Sequence, residues 1–133
     1  MPARTEYLIL ARLALAGIAR ELPIDASMLA DLKLAVTEAC GNAIRHAHPA
    51  GDGIVTVRYT VTDEAIEIRV ADDGPGMDAP AQLDLPELEL SESGMGLAII
   101  HALVDGLEIE PGADGRGTVV RMWRRRLPAP ARA

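Results

Sequence analysis

The sequence predicts an α+β fold of two layers, a two-layer α/β sandwich with helices on one face of a mostly antiparallel sheet. Three observations carry that expectation. Two long stretches before Pro49 repeat apolar residues at helical spacing, and residues 54–71 alternate apolar and polar side chains in two runs around a polar turn. After a proline-containing loop come one more helical stretch and two short strand-like runs. The element order is therefore α, α, β, β, loop, α, β, β.

The first helix is expected over Thr5 to Leu22, where Leu8, Ala11, Leu15 and Ile18 fall on one face and Pro23 stops the element. Asp25 stands as an N-cap for a second, central helix from Ala26 to His48. Its buried stripe runs through Met28 or Leu29, Leu32, Val36, Ala39, Ala43 and Ala47, before Pro49 and Gly51 end it. Ile54 to Val61 and Ala65 to Ala71 then read as an antiparallel hairpin turning at Thr62, Asp63 and Glu64. Asp72 to Ser93, with Pro75, Pro80 and Pro86, reads as a long loop, and a loop of that length in a small domain is functional or disordered. Gly94 to Val104 form a short helix. Leu107 to Glu110 and Gly117 to Trp123 are strands separated by a turn at Gly112 to Gly115. Residues 128–133 have no pattern that could bury a face and are expected to be a disordered tail, leaving one domain over 1–127.

Composition narrows the function classes. A chain of 133 residues that is 49% hydrophobic can bury one core. The net charge is -7, and no Lys or Arg occurs from Gly74 through His101, so a broad phosphate-tracking surface for nucleic acid is not expected. The run Arg121, Arg124, Arg125, Arg126 reads as a solvated end. Cys40 is alone, so no intramolecular disulfide can form, and His46, His48 and His101 lack zinc spacing. A reducing, cytoplasmic setting fits. Trp123 and Cys40 read as packing residues. The apolar stretch from Leu8 to Ala19 is broken by Arg12 and is shorter than the ~20 residues of a bilayer span, so no membrane segment is expected.

Three short motifs could carry chemistry. Glu38 and Asn42, four apart on the second helix, share one face one turn from each other. Alone, such a pair reads as ordinary exposed helix residues. In Asp72-Asp73-Gly74-Pro75-Gly76 the first acid closes a strand, and the glycines let backbone approach a ligand. Alone, that is an Asp-Gly turn. In Gly94-Met95-Gly96-Leu97-Ala98-Ile99 two glycines open a helix whose free N–H groups could cradle phosphate. A Walker loop is absent, Lys33 is the only lysine, and the Gly94 loop lacks the third glycine and preceding apolar strand of a dinucleotide fold.

Taken together, Glu38-x-x-x-Asn42-Ala43, Asp72-x-Gly74-x-Gly76 and Gly94-x-Gly96-Leu97-x-Ile99 occur in the order of the N, G1 and G2 boxes of GHKL ATPases, which resemble this chain over most of its length. The Asn42-Ala43-Ile44-Arg45-His46 and Ser93-Gly94-Met95-Gly96-Leu97 segments are similar to those of bacterial anti-sigma factor serine-protein kinases of the sporulation and general-stress type. The resemblance implies the Bergerat fold, with ATP and Mg²⁺ as ligands. Asn42 would coordinate the Mg²⁺ that bridges the phosphates, Asp72 would accept the adenine amino hydrogen, and Thr118 would help close the adenine pocket. Gly74, Gly76, Gly94, Met95, Gly96 and Leu97 would complete the nucleotide site, under an ATP lid at about 77–93. Glu38 would be the catalytic base toward a serine hydroxyl of a protein substrate.

The implied function is that of an ATP-binding anti-sigma factor that sequesters a sigma factor and phosphorylates an anti-anti-sigma (STAS-type) protein on serine. Arg12 falls where the family carries an arginine that contacts both partners; a solvated helix arginine is the other reading. A homodimer is the family expectation. Two departures stand out: the first strand that usually precedes the first helix has no counterpart here, and Asp78, Asp84, Glu87, Glu89 and Glu92 are unopposed by Lys or Arg in the lid, with Glu92 where sporulation relatives have arginine. Two other readings stay open: a nucleotide-gated binding module without kinase activity, and a stand-alone histidine-kinase-like catalytic domain.

Overall fold

Asp25 starts the longest helix as the sequence predicts, its Oδ1 accepting the Met28 backbone N–H at 2.7 Å. That helix, α2 (Ala26–Ala47), is the centre of the molecule. The structure is a computed structural model that describes residues 5–22, 24–47, 53–73, 92–112 and 117–126. Gly74, Gly76, most of the expected lid and the C-terminal tail lie outside the described residues.

A 3-10 turn, Thr5–Tyr7, leads into α1 (Leu8–Glu21), which ends with Leu22 in an extended conformation beside Pro23. The hairpin forms as expected from β1 (Val55–Val61) and β2 (Ala65–Asp72). The third helix, α3 (Glu92–Leu103), begins two residues before the Gly94 start that the sequence suggests. Strands β3 (Gly106–Pro111) and β4 (Thr118–Arg125) complete an antiparallel sheet in the order β1-β2-β4-β3.

The register explains why one face of this sheet is a core. Val57, Val70, Val120 and Ile109 lie level across the four strands, and Tyr59, Ile68, Met122 and Leu107 form the next such row. Ile66, Ile68, Val70, Val120 and Met122 are buried from these rows and their neighbours, and α2 meets them with Leu32, Ala35, Val36, Ala39, Cys40 and Ala43. Complete burial of a side chain such as Leu32 or Ile68 stabilises by roughly 1.5–3 kcal/mol, so these rows hold the helices on the sheet. The alternation in β1 and β2 is that of the sequence reading. The α2 stripe is wider than expected, because Ala35, Cys40 and Ile44 are buried beside it.

α1 packs on one flank of α2 and α3 on the other. Tyr59 of β1 ties α1 down by donating its hydroxyl to the Ala11 carbonyl at 2.6 Å.

The opposite sheet face is polar. Arg58, Arg69, Arg121 and Glu108 form one level row, and Glu67 lies 3.7 Å from Arg69 and 3.2 Å from Arg121. Glu108 meets Arg121 at 3.0 Å, and the Arg121 guanidinium also covers the Trp123 ring at 4.7 Å.

The arginine run is therefore not a solvated end. Arg121 and Arg124 are strand residues, and Arg124 reaches through to the helical layer, donating to Asp31 Oδ2 at 2.6 Å and to the Leu103 carbonyl at 2.8 Å. One side chain thus links β4, α2 and the end of α3. The run was misread because charge spacing alone does not reveal a β4 that extends to Arg125.

Cys40 is fully buried, and that burial pushes its thiol from the ordinary 9.0 up to about 12. Burial also pushes the Tyr59 phenol up, with Cys40 adding to the effect. Both groups stay protonated in the fold where the unfolded chain releases their protons, so the native state holds more protons above pH 9 and stability falls as pH rises. Between pH 9 and 10.5 Cys40 alone should lower the unfolding free energy by about 2 kcal/mol. Urea unfolding across that range should show a smaller fall for Cys40→Ala than for the wild type. Identical pH slopes would refute the assignment.

Candidate functional site

The site starts from two polar side chains on a helix that otherwise buries alanines. Ala39, Ala43 and the four-residue spacing of Glu38 and Asn42 put the pair at the border of the apolar stripe, on the flank where α3 packs. Asn42 is only 3% exposed, while Glu38 is half-buried.

α3 completes the arrangement through Gly96. A Cβ placed on Gly96 would stand 3.2 Å from Glu38 Oε2, 3.3 Å from Asn42 Nδ2 and 3.3 Å from Asn42 Oδ1. Glu38, Asn42 and Gly96 thus converge on one point, and only a residue without a side chain leaves that point open. The helix starting at Glu92 gives Gly96 a different part from the one its sequence suggests. Among the described residues the N–H groups without an intrahelical partner belong to Glu92, Ser93 and Gly94. Gly94 therefore keeps an N–H group suited to an anion, while the Met95 N–H falls to the helix and Gly96 supplies clearance. Leu97 places its side chain in the core, 3% exposed.

Asn42 is held in one orientation. Its Oδ1 accepts from Arg45 Nη2 at 2.8 Å, and a guanidinium has donors only, so the amide oxygen is the atom that faces it. Asn42 Nδ2 is buried without a hydrogen-bond partner. An orphaned buried donor costs about 1–3 kcal/mol, so it marks a place where packing has been given up for something else.

A second meeting point lies where β2 ends and β4 begins. One step beyond the Ala71–Val119 pair, Asp72 comes level with Thr118, which is 4% exposed. Gly117 has φ +72, and a Cβ there would fall 1.9 Å from the Asp72 carbonyl oxygen. Both its conformation and this approach require glycine. Asp73 Oδ1 accepts the Ile54 N–H at 3.1 Å and closes the same end of the hairpin.

Arg12 stands apart, exposed on α1, on the other flank of α2 from α3. Ile9, Leu10 and Leu13 beside it are 57%, 48% and 60% exposed. Neither Arg45 nor Gly117 was singled out from sequence, although each had a signal: Arg45 is one turn beyond Asn42, and Gly117 directly precedes Thr118.

This geometry suits a nucleotide bound with a metal ion. Asn42 offers an amide oxygen on the side where the exposed Arg45 lies, the Gly96 clearance leaves room beside it, and the first turn of α3 offers N–H groups to phosphate. Among the described residues no helix is long and apolar enough to cross a membrane.

Known proteins share this framework. The family model described as a histidine kinase-like ATPase domain matches residues 1–124, and the chain belongs to that family. Within it, the chain stands with bacterial serine-protein kinases. Serine-protein kinase RsbW of Bacillus cereus (strain ATCC 10987) is 32% identical over 117 residues, 82% of this chain and 73% of the relative. RsbW of Bacillus mycoides (strain KBAB4) gives the same identity and coverage. Among solved structures, the mycobacterial sensor histidine kinase MprB superposes with a TM-score of 0.59 at 25% identity, covering 76% of this chain and 74% of its own. The histidine kinase domain of the Erythrobacter litoralis EL346 blue-light activated kinase gives 0.60 at 25% identity, covering 93% and 61%.

Gly96→Ala separates clearance from folding. Alanine is the better helix former by about 1 kcal/mol, which offsets part of the cost of crowding Glu38 and Asn42, so stability in urea should fall by no more than about 2 kcal/mol. The added methyl should nevertheless weaken ATP binding about tenfold, measured by calorimetry, because it crowds both Glu38 and Asn42. Unchanged ATP affinity would remove Gly96 from the site.

Proposed function

We propose that this chain is an ATP-dependent serine-protein kinase and anti-sigma factor: it sequesters a sigma factor, and phosphorylates on serine the STAS-type anti-anti-sigma protein that releases it. The observation that carries this reading is the convergence of Glu38, Asn42 and Gly96 on one open point. The serine-protein kinase relatives support the choice of serine as acceptor. We place the reaction in the cytoplasm, in a homodimer whose single domain spans 1–127.

Asn42 Oδ1 holds Mg²⁺, the ion that, when bound, neutralises phosphate charge. The N–H group of Gly94 faces the phosphates, Gly74, Gly76 and Met95 belong to the same nucleotide site, Asp72 accepts the adenine amino hydrogen, and Thr118 closes the base pocket. Glu38 accepts the proton of the substrate serine hydroxyl as that oxygen bonds to the γ-phosphorus and the bond to the ADP oxygen breaks. Transfer of this kind depends mainly on positioning, and one carboxylate beside one metal ligand is enough to provide it. Arg12, among the exposed apolar residues of α1, contacts the protein partners.

Asn42→Ala should abolish magnesium-dependent ATP binding. Glu38→Gln should keep ATP affinity within about threefold of the wild type and slow serine phosphorylation by about 10²–10⁴. Calorimetry with ATP, and phosphoserine detection on a STAS-type anti-anti-sigma protein, read the two effects. Equal loss of ATP affinity in both variants would sink this division of roles. Binding without phosphoserine would favour a nucleotide-gated binding module, and acid-labile phosphate on a partner histidine would favour the histidine-kinase alternative.

A further inference from the structure

Asn42 Oδ1, the oxygen that the proposed function gives to Mg²⁺, already carries a cation. Arg45, one turn further along α2, donates Nη2–H to it at 2.8 Å. The guanidinium folds back along the helix to do so, since its Nη1 stands 3.4 Å from where a Cβ on Gly41 would lie. Among the described residues Arg45 makes no ion pair, and it is exposed while Asn42 is buried. Among the described residues its one polar partner is the Asn42 amide oxygen.

We propose that Arg45 is a built-in competitor for the metal: its guanidinium occupies the Asn42 amide oxygen until Mg²⁺ displaces it, and so sets the magnesium concentration at which the site takes ATP. This inference rests on the reading of Asn42 as the metal ligand. The oxygen has two lone pairs, but sharing is disfavoured. Mg²⁺ binds oxygen at about 2.0–2.1 Å in a rigid octahedron that keeps several of its waters. A guanidinium at hydrogen-bonding distance from the same atom would meet both that shell and the charge on the ion. Arg45 can leave at little loss, because its head lies on the solvent side and its long side chain reaches water by rotation.

The test is ATP binding by the full chain, measured calorimetrically at fixed ATP while Mg²⁺ rises from zero to excess, for the wild type, Arg45→Met and Arg45→Lys. Thermal melts confirm folding, and Arg45→Lys keeps the charge should the methionine variant fail to fold. Loss of one charge-assisted hydrogen bond corresponds to about a tenfold or larger change in an equilibrium constant. The half-saturating Mg²⁺ concentration should fall by that factor in Arg45→Met and by less in Arg45→Lys. The same midpoint in all three proteins would overturn the competition and leave the proposed function standing. ATP binding weakened at every Mg²⁺ concentration in Arg45→Met would also overturn it, assigning the guanidinium to the anion instead. Absence of magnesium-dependent ATP binding by the wild type would overturn both readings.

Discussion

The closeness with which α3 packs on α2 is the constraint on which the rest of the structure depends. Two helices that must hold a carboxylate and an amide between them cannot be separated by ordinary side chains. The α2 stripe is accordingly made of small residues near the site, Ala39 and Ala43, and α3 contributes Gly96. Small residues bury little apolar area, so adhesion between the layers falls to the larger side chains away from the site, Leu32, Ile66, Ile68, Ile100 and Met122 among them. Packing is strong at one end of α2 and permissive at the other, and that division lets a nearly buried asparagine survive with its amide nitrogen unmatched.

Most of the fold was legible because its signals are local and repeated. The Asp25 cap, the Pro23 stop and the alternation in β1 and β2 each act within a few residues, and each appears where the sequence puts it. The element order and the helices on one face follow from the same patterns. The arginines of β4 were misread for the opposite reason. Arg124 finds its partners on α2 and at the end of α3, far along the chain, and no spacing rule within the run reports that. Likewise the ladder of Arg69, Glu67, Arg121 and Glu108 exists only once the strand register is known.

The candidate site was legible as residue types in order, but less so as geometry. Three motifs named Glu38, Asn42, Asp72 and Gly96, and the fold brings Glu38, Asn42 and Gly96 to one point. The sequence gives Gly96 the part of a phosphate-facing N–H, whereas α3 starts early enough to enclose that N–H in the helix and leave Gly96 as clearance. Gly117 reads from sequence only as the start of the last strand, because nothing in the sequence shows the Asp72 carbonyl oxygen that lies where its side chain would be. Arg45 was read only as part of a family segment, because its hydrogen bond to Asn42 depends on which rotamer a long side chain adopts.

The hydroxyl of Tyr59 acts as a key in α1. It meets a carbonyl in the first turn of the helix, at Ala11, and so ties the start of α1 to the sheet. Together with the buried Ala11 and Leu15, that bond turns the side that shows Ile9, Leu10, Arg12 and Leu13 toward solvent. Any protein that grips that side pulls on an edge strand of the sheet through one short bond, so torque applied at the rim of the molecule is delivered to the layer that supports α2.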